Sequence, residues 1–205
     1  MRVTSKPMET FVSNYLQSPN HEIEFRIGKI SHGRFDTNVG KETYMRVLRR
    51  LDRYQEWESK SVSNDTIYYG NGFRRATCNN DTDDIKRIIK KSVAKFDYKI
   101  PNHSFDVRAS VATETPYEPE DDEEVFEETR SRVRHSFVRK NLVIDVSMVK
   151  STPEDIDSES DVSYQIELEI INPSLVKSET TLSNIIQKIY DVLKITGGEC
   201  TERTL

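Results

Sequence analysis

The feature that most constrains this chain is charge placed inside alternating segments. In EIEFRIG, Glu22, Glu24 and Arg26 fall on one face of an extended strand while Ile23, Phe25 and Ile27 fall on the other. In YQIELEI the same period sets Gln165, Glu167 and Glu169 against Tyr164, Ile166, Leu168 and Ile170. RSRVRHSF gathers Arg130, Arg132, Arg134 and Ser136 on one side, and FDVRASVATE gathers Asp106, Arg108, Ser110 and Glu114. LVIDVSMV opposes Asp145 and Ser147 to Leu142, Ile144, Val146 and Met148. A half-buried strand normally shows water a face of mixed sign, because like charges placed side by side repel. Two acidic rows and a basic row make sense together in a closed barrel whose charged faces point inward, with opposite signs meeting across a wet lumen and helices covering the apolar faces. An open sheet or sandwich with its polar faces in solvent is the simpler alternative, and each strand taken alone fits it.

The rest of the chain agrees with a mainly antiparallel β fold. Alternation recurs around residues 22–30, 66–78, 85–91, 93–100, 105–114, 130–138, 142–149 and 163–171, which predicts about eight strands. Three amphipathic helices are expected outside them. Met8, Phe11, Val12, Tyr15 and Leu16 recur at helical spacing after Pro7. Tyr44, Val47, Leu48 and Leu51 stripe a helix over 41–54, with Arg46, Arg49, Arg50 and Arg53 as its solvated remainder. Leu182, Ile185, Ile186, Ile189 and Leu193 stripe a third over 179–194, which Gly197 and Gly198 end. The acidic, proline-bearing stretches 118–128 and 151–161 read as solvated loops. No repeat and no linker divides the 205 residues, so one domain over 1–205 is expected.

Composition narrows the function classes. The chain is 35% hydrophobic and 32% charged, against about 45–50% and about 25% for ordinary soluble domains, which suits a partly polar interior. No segment approaches the roughly 20 apolar residues of a membrane span. MRVTSKPMETF has no apolar core of a secretory signal, so an intracellular protein is expected. A net charge of −5 excludes a uniformly basic nucleic-acid domain. Cys78 and Cys200 are too few for a disulfide framework, and His21, His32, His103 and His135 lack metal-ligand spacing. Trp57 reads as a packing residue, and no P-loop or G-x-S-x-G is present. What remains is the charged lumen. Carboxylates in a row call for a hard cation such as Mg²⁺ or Mn²⁺, and arginines in a row call for phosphate, whose oxygens match the guanidinium fork. Together they point to metal-assisted phosphoryl chemistry.

On these residues the chain resembles the metal-dependent RNA 5′-triphosphatases of the triphosphate tunnel metalloenzyme superfamily, which carry out the first step of mRNA capping in fungi, protists and large DNA viruses. EIEFRIG and YQIELEI resemble the family's two glutamate strands. In order between them, FRRAT, IIKKSV, FDVRASVATETP, RSRVRHSF and LVIDVSMV resemble its other five. The resemblance implies an eight-stranded antiparallel tunnel with external helices that removes the γ-phosphate of 5′-triphosphate RNA. It also implies that Glu22, Glu24 and Glu169 hold Mn²⁺ or Mg²⁺, and that Glu167 orients or deprotonates the attacking water with help from Glu114. Arg75, Lys90, Arg132 and Arg134 would grip the γ-phosphate, with Arg130 beside them. Arg75 is preferred to Arg74 because it shares a face with Thr77. Arg26, Arg108, Asp145 and Gln165 would support these groups from the wall. Gln165 departs from the family's third glutamate, Arg132 from a lysine and Ser147 from a threonine.

The implied partners are the 5′-triphosphate end of nascent RNA, nucleoside triphosphates, and a guanylyltransferase as partner or fused domain. The implied place is the nucleus for a cellular chain, or the host cytoplasm, virus factory or virion for a viral one. A tunnel enzyme for inorganic triphosphate, thiamine triphosphate or nucleoside triphosphates, and a non-catalytic module binding polyphosphate or RNA ends, are the alternatives.

Overall fold

The computed structural model describes residues 6–18, 20–70, 74–77, 85–118, 126–151 and 161–197. Cys78, Cys200, Gly198 and most of both acidic stretches lie outside the described residues. In chain order the elements are α1 (Lys6–Ser13), β1 (His21–Ser31), β2 (Arg34–Asp36), α2 (Lys41–Arg53), β3 (Ser59–Gly70), β4 (Arg74–Thr77) and β5 (Ile85–Tyr98). They continue with β6 (Asp106–Pro116), β7 (Phe126–Arg139), β8 (Leu142–Ser151), β9 (Val162–Ile170) and α3 (Glu179–Thr196).

The strand order β1-β6-β5-β4-β3-β7-β8-β9 returns to β1, because β9 pairs antiparallel with β1 from Ile23↔Ile170 to Ile27↔Ile166. All pairings are antiparallel, so the eight strands form a closed barrel. Closure leaves these strands no free edge in the sheet. The ninth strand, β2, folds back on the outer end of β1 through His32 and Gly33, both at positive φ, a two-residue turn of the kind that suits the twist of a hairpin.

The expected count of eight barrel strands holds, but its division differs. The segments 85–91 and 93–100 are one strand, β5, carrying a bulge between Ser92 and Ala94. Before the bulge Lys86 and Lys90 face the lumen; after it the inward row passes to odd positions, with Asp97 opposite Arg108. One extra residue shifts the alternation by one, so a single bulged strand reads in sequence as two. The segment 66–78 conversely splits into the end of β3 and β4, and β3 begins at Ser59. The loop expected over 118–128 ends earlier, because β7 starts at Phe126.

The apolar core lies outside the barrel. Ile23, Phe25 and Ile27 on β1, Val107, Ala109 and Val111 on β6, Ile144 and Val146 on β8, and Ile166 and Leu168 on β9 are buried against the helices. From α3 come Leu182, Ile185, Ile186, Ile189 and Leu193, from α2 Val47 and Leu51, and from α1 Met8 and Val12. Full burial of a side chain such as Ile189 or Phe25 is worth about 1.5–3 kcal/mol, so this one-sided layer is the main cohesive term. Ser178 caps α3, its hydroxyl accepting from the Thr181 N–H at 3.1 Å. His103 ties the other end down, placing Nε2 2.9 Å from the Leu193 carbonyl, which is a structural role. Trp57 packs on Phe137 and donates to the Leu51 carbonyl. No helix among the described residues is long and apolar enough to cross a membrane.

Candidate active site

The inward faces of the strands enclose a cavity of about 800 Å³. Glu22, Glu24 and Arg26 enter it from β1, Gln165, Glu167 and Glu169 from β9, and Arg130, Arg132 and Arg134 from β7. Lys90 and Glu114 come from β5 and β6, and Asp145 from β8. Register explains their order. Glu24 lies opposite Glu169, Arg26 opposite Glu167, and Glu167 in turn opposite Asp145. The acidic rows of β1 and β9 are therefore immediate neighbours, and the arginine row of β7 lies one strand beyond, across β8.

Cations are interleaved with these carboxylates. Lys90 Nζ is 2.5 Å from Glu22 and 3.6 Å from Glu24. Arg26 reaches Glu24 at 3.2 Å and Glu167 at 2.9 Å. Glu114 meets Arg74 at 3.2 Å, Lys86 at 3.1 Å and Lys90 at 3.8 Å. That geometry makes Glu114 a holder of cations rather than an assistant to Glu167. On the basic side, Arg132 donates Nε and Nη2 to one oxygen of Asp65, at 3.0 and 2.7 Å. Arg134 stands 3.6 Å from both Asp65 and Asp145. Arg130 is held by both oxygens of Glu128, at 2.6 and 3.0 Å.

Burial and crowding set the proton affinities. The Glu169 side chain makes no hydrogen bond among the described residues, and burial, with the charges of Glu22, Asp145 and Glu24, pushes its carboxyl up to about 7. Burial likewise raises Glu24 and Asp145, although Arg26 and Lys90 pull the first back and Ser136 and Arg134 the second. Lys90 is raised despite burial, because Glu24, Glu22 and Glu114 surround its ammonium.

Glu22, Glu24 and Glu169 suit a hard divalent cation by donor type, and the high proton affinity of Glu169 marks a carboxylate short of positive partners. Their side chains are spread by Lys90 and Arg26, and among the described residues no three acids close around one point.

Several sequence expectations need correction or addition. Arg75 does not face the lumen. Its guanidinium lies 4.5 Å from the Tyr68 ring centre and 4.6 Å from that of Phe126, and Arg74 enters the cavity instead. Arg74 is paired with Tyr69 and Arg75 with Tyr68, and β3 turns Asp65, Ile67 and Tyr69 inward, so register decides the choice against the Thr77 argument. Arg108 lies beyond the cavity, bound to Asp97 at 2.6 and 2.9 Å and 4.6 Å from the Phe35 ring centre. Gln165 lines the cavity and donates to Ser163. Asp65, Lys86, Glu128 and Tyr69 were not expected. Asp65, Ile67 and Tyr69 do alternate, but the segment SKSVSN before them has no apolar period to announce a strand.

Residues 53–188 match the family described as mRNA capping enzyme, beta chain. The chain belongs to that family. It is structurally similar to S. pombe Pct1 RNA triphosphatase, solved in complex with the Spt5 CTD, with a TM-score of 0.81 at 17% identity over 97% of this chain and 93% of that one. It is also similar to the Mimivirus capping enzyme triphosphatase, with a TM-score of 0.58 at 16% identity over 95% of this chain and 98% of that one. No curated protein matches the sequence. At these identities the solved structures speak for the shared tunnel fold, while the family match carries the capping triphosphatase assignment and, with it, a divalent-metal requirement.

Proposed function

We propose that this tunnel hydrolyses the β–γ bond of 5′-triphosphate RNA, leaving a 5′-diphosphate end for capping. The observation that carries the reading is the pairing of two glutamate rows, on β1 and β9, with an arginine row on β7 inside one barrel of this family. Glu22, Glu24 and Glu169 would hold Mn²⁺ or Mg²⁺, which when bound supplies positive charge against the phosphate oxygens.

The remaining chemistry belongs to the chain itself. Arg132, Arg134, Arg74 and Lys90 provide the positive wall, and carboxylates already fix each of them, so little side-chain freedom is lost when a triphosphate enters. Arg132 spends Nε and Nη2 on Asp65, which leaves Nη1 to meet an anionic oxygen. In the in-line displacement, water attacks the γ-phosphorus as the bond to the β-bridging oxygen breaks. Glu167, oriented by Arg26, accepts the water's proton, and the arginines stabilise charge on the equatorial oxygens. Nucleoside triphosphates offer the same chemistry and are proposed as side substrates. Guanylyl transfer to the diphosphate end requires a second active site, which we assign to a partner or fused domain.

The test is release of labelled γ-phosphate from 5′-triphosphate RNA by the parent protein and Glu169→Ala, with Mg²⁺, Mn²⁺ or chelator. Metal-dependent release that the substitution abolishes is expected, with diphosphate RNA as product. Turnover of inorganic triphosphate alone would move the substrate assignment to another tunnel activity, and binding without any turnover would make the chain a polyphosphate-binding module.

A further inference from the structure

The cavity contains one residue unlike its neighbours. Tyr69 is the only phenylalanine, tyrosine or tryptophan among the described residues that line it, in a wall otherwise dominated by charge. It sits where β3 shifts register against β7, between Tyr69 and Gly70, and such irregularities re-aim a side chain at the rim of a barrel. Its ring does not move freely. The Arg130 guanidinium lies 5.0 Å from the ring centre, while Glu128 clamps Arg130 itself.

The position of this ring relative to the charges is informative. Along β7, Arg134 stands beside Asp145, Arg132 beside Asp65, and Arg130 beside Tyr69. At strand spacing this row is about 13 Å long, running from the acidic centre to the ring. On the opposite side, Tyr69 pairs across strands with Arg74, which leads through Glu114 and Lys90 to Glu22. A triphosphate whose γ-phosphate lies among the acids and whose other phosphates follow the arginines would therefore bring its nucleoside to Tyr69. The cavity, at about 800 Å³, falls among sites that enclose a whole small ligand, about 300–1,000 Å³, rather than a bare anion. An aromatic face accepts any base, which suits an enzyme acting on transcripts of every sequence.

We propose that Tyr69 is the platform on which the 5′-terminal base of triphosphate RNA stacks, and that it sets the preference for nucleotide over inorganic triphosphate. This rests on the triphosphatase reading above. The experiment compares kcat/KM for 5′-triphosphate RNA, the same RNA lacking its first base, and inorganic triphosphate, using the parent protein, Tyr69→Leu and Tyr69→Phe. Loss of a base–aromatic stack lowers the RNA-to-inorganic-triphosphate ratio by about tenfold or more in Tyr69→Leu. Tyr69→Phe keeps the ratio, and the parent protein loses a similar factor on the abasic RNA.

A Tyr69→Leu protein with an unchanged ratio overturns the proposal. So does a parent protein that treats abasic and ordinary RNA alike, a result that needs no variant to fold. Absence of turnover on every triphosphate would overturn the hydrolytic reading and this one with it, whereas turnover without base dependence overturns only the platform.

Discussion

Replacing Glu169 by glutamine separates the cost of a crowded carboxylate from its use. In the metal-free protein Glu169 titrates near pH 7, raised from the ordinary 4.5 by burial and by Glu22, Asp145 and Glu24. A carboxyl raised on folding favours the fold while it is protonated. Its contribution is therefore fully present below pH 4.5 and is lost as pH rises through 7. A shift of this size corresponds to about 3 kcal/mol at pH 8. Glutamine keeps the shape and removes the charge. In chelator at pH 8, Glu169→Gln should therefore melt higher than the parent by about 6–12 °C, since about 1 kcal/mol moves a domain of this size by 2–4 °C. At pH 4, below both values, the two proteins should melt together. Saturating Mn²⁺ should reverse the order at pH 8, because binding to the native state stabilises by mass action and glutamine is the weaker ligand. Thermal unfolding at the two pH values, with and without metal, reads all four conditions. A variant that melts lower than the parent in chelator at pH 8 would refute the reasoning, as would a difference that does not change with pH.

Further substitutions test the architecture. Arg74→Ala should lower kcat/KM for triphosphate substrates by about 100-fold, the usual loss for one preorganised charge at a transition state; Arg75→Ala, which removes a guanidinium resting on Tyr68 and Phe126, should cost about 1 kcal/mol of stability instead. Steady-state kinetics and urea unfolding distinguish these effects, and the opposite ranking in kcat/KM would restore the sequence-based choice of Arg75. Gly28→Ala should destabilise by about 2–3 kcal/mol, because its Cβ would lie 2.2 Å from the Asp36 carbonyl oxygen and within 2.5 Å of the Phe35 ring. Adding Phe35→Ala should recover only part of that loss, since the clash with backbone remains; a urea midpoint for Gly28→Ala equal to the parent's would show that β2 is not packed against β1 as described.

The candidate site was legible in sequence to the extent that it obeys period two. Glu22, Glu24, Arg26, Gln165, Glu167, Glu169, Arg130, Arg132 and Arg134 lie in uninterrupted alternation, and every one enters the cavity. Asp65 escaped because the first half of β3 carries polar side chains on both faces, so no contrast marked it as a strand, whereas Tyr69 lay in the expected strand over 66–78 but carries no charge to mark its face as inward. That outer face is uncovered, with Val62 56% exposed, whereas β1, β6, β8 and β9 are apolar because helices press on them. Strands that bury one side show the alternation; strands that bury neither conceal it.

By itself the sequence determined which strands carry charge inward, the three helices that cover their backs, and hence a barrel with a wet centre. Those features follow from side-chain polarity and the geometry of single elements. Only the tertiary structure decided which strands are neighbours and in which register. It put Glu24 beside Glu169, chose Arg74 over Arg75, joined two apparent strands through the bulge after Ser92, and gave Arg132 and Arg134 to Asp65. A one-residue slip sends every side chain of a strand to the other face, and what settles the slip is pairing between segments far apart in the chain, which no local pattern records.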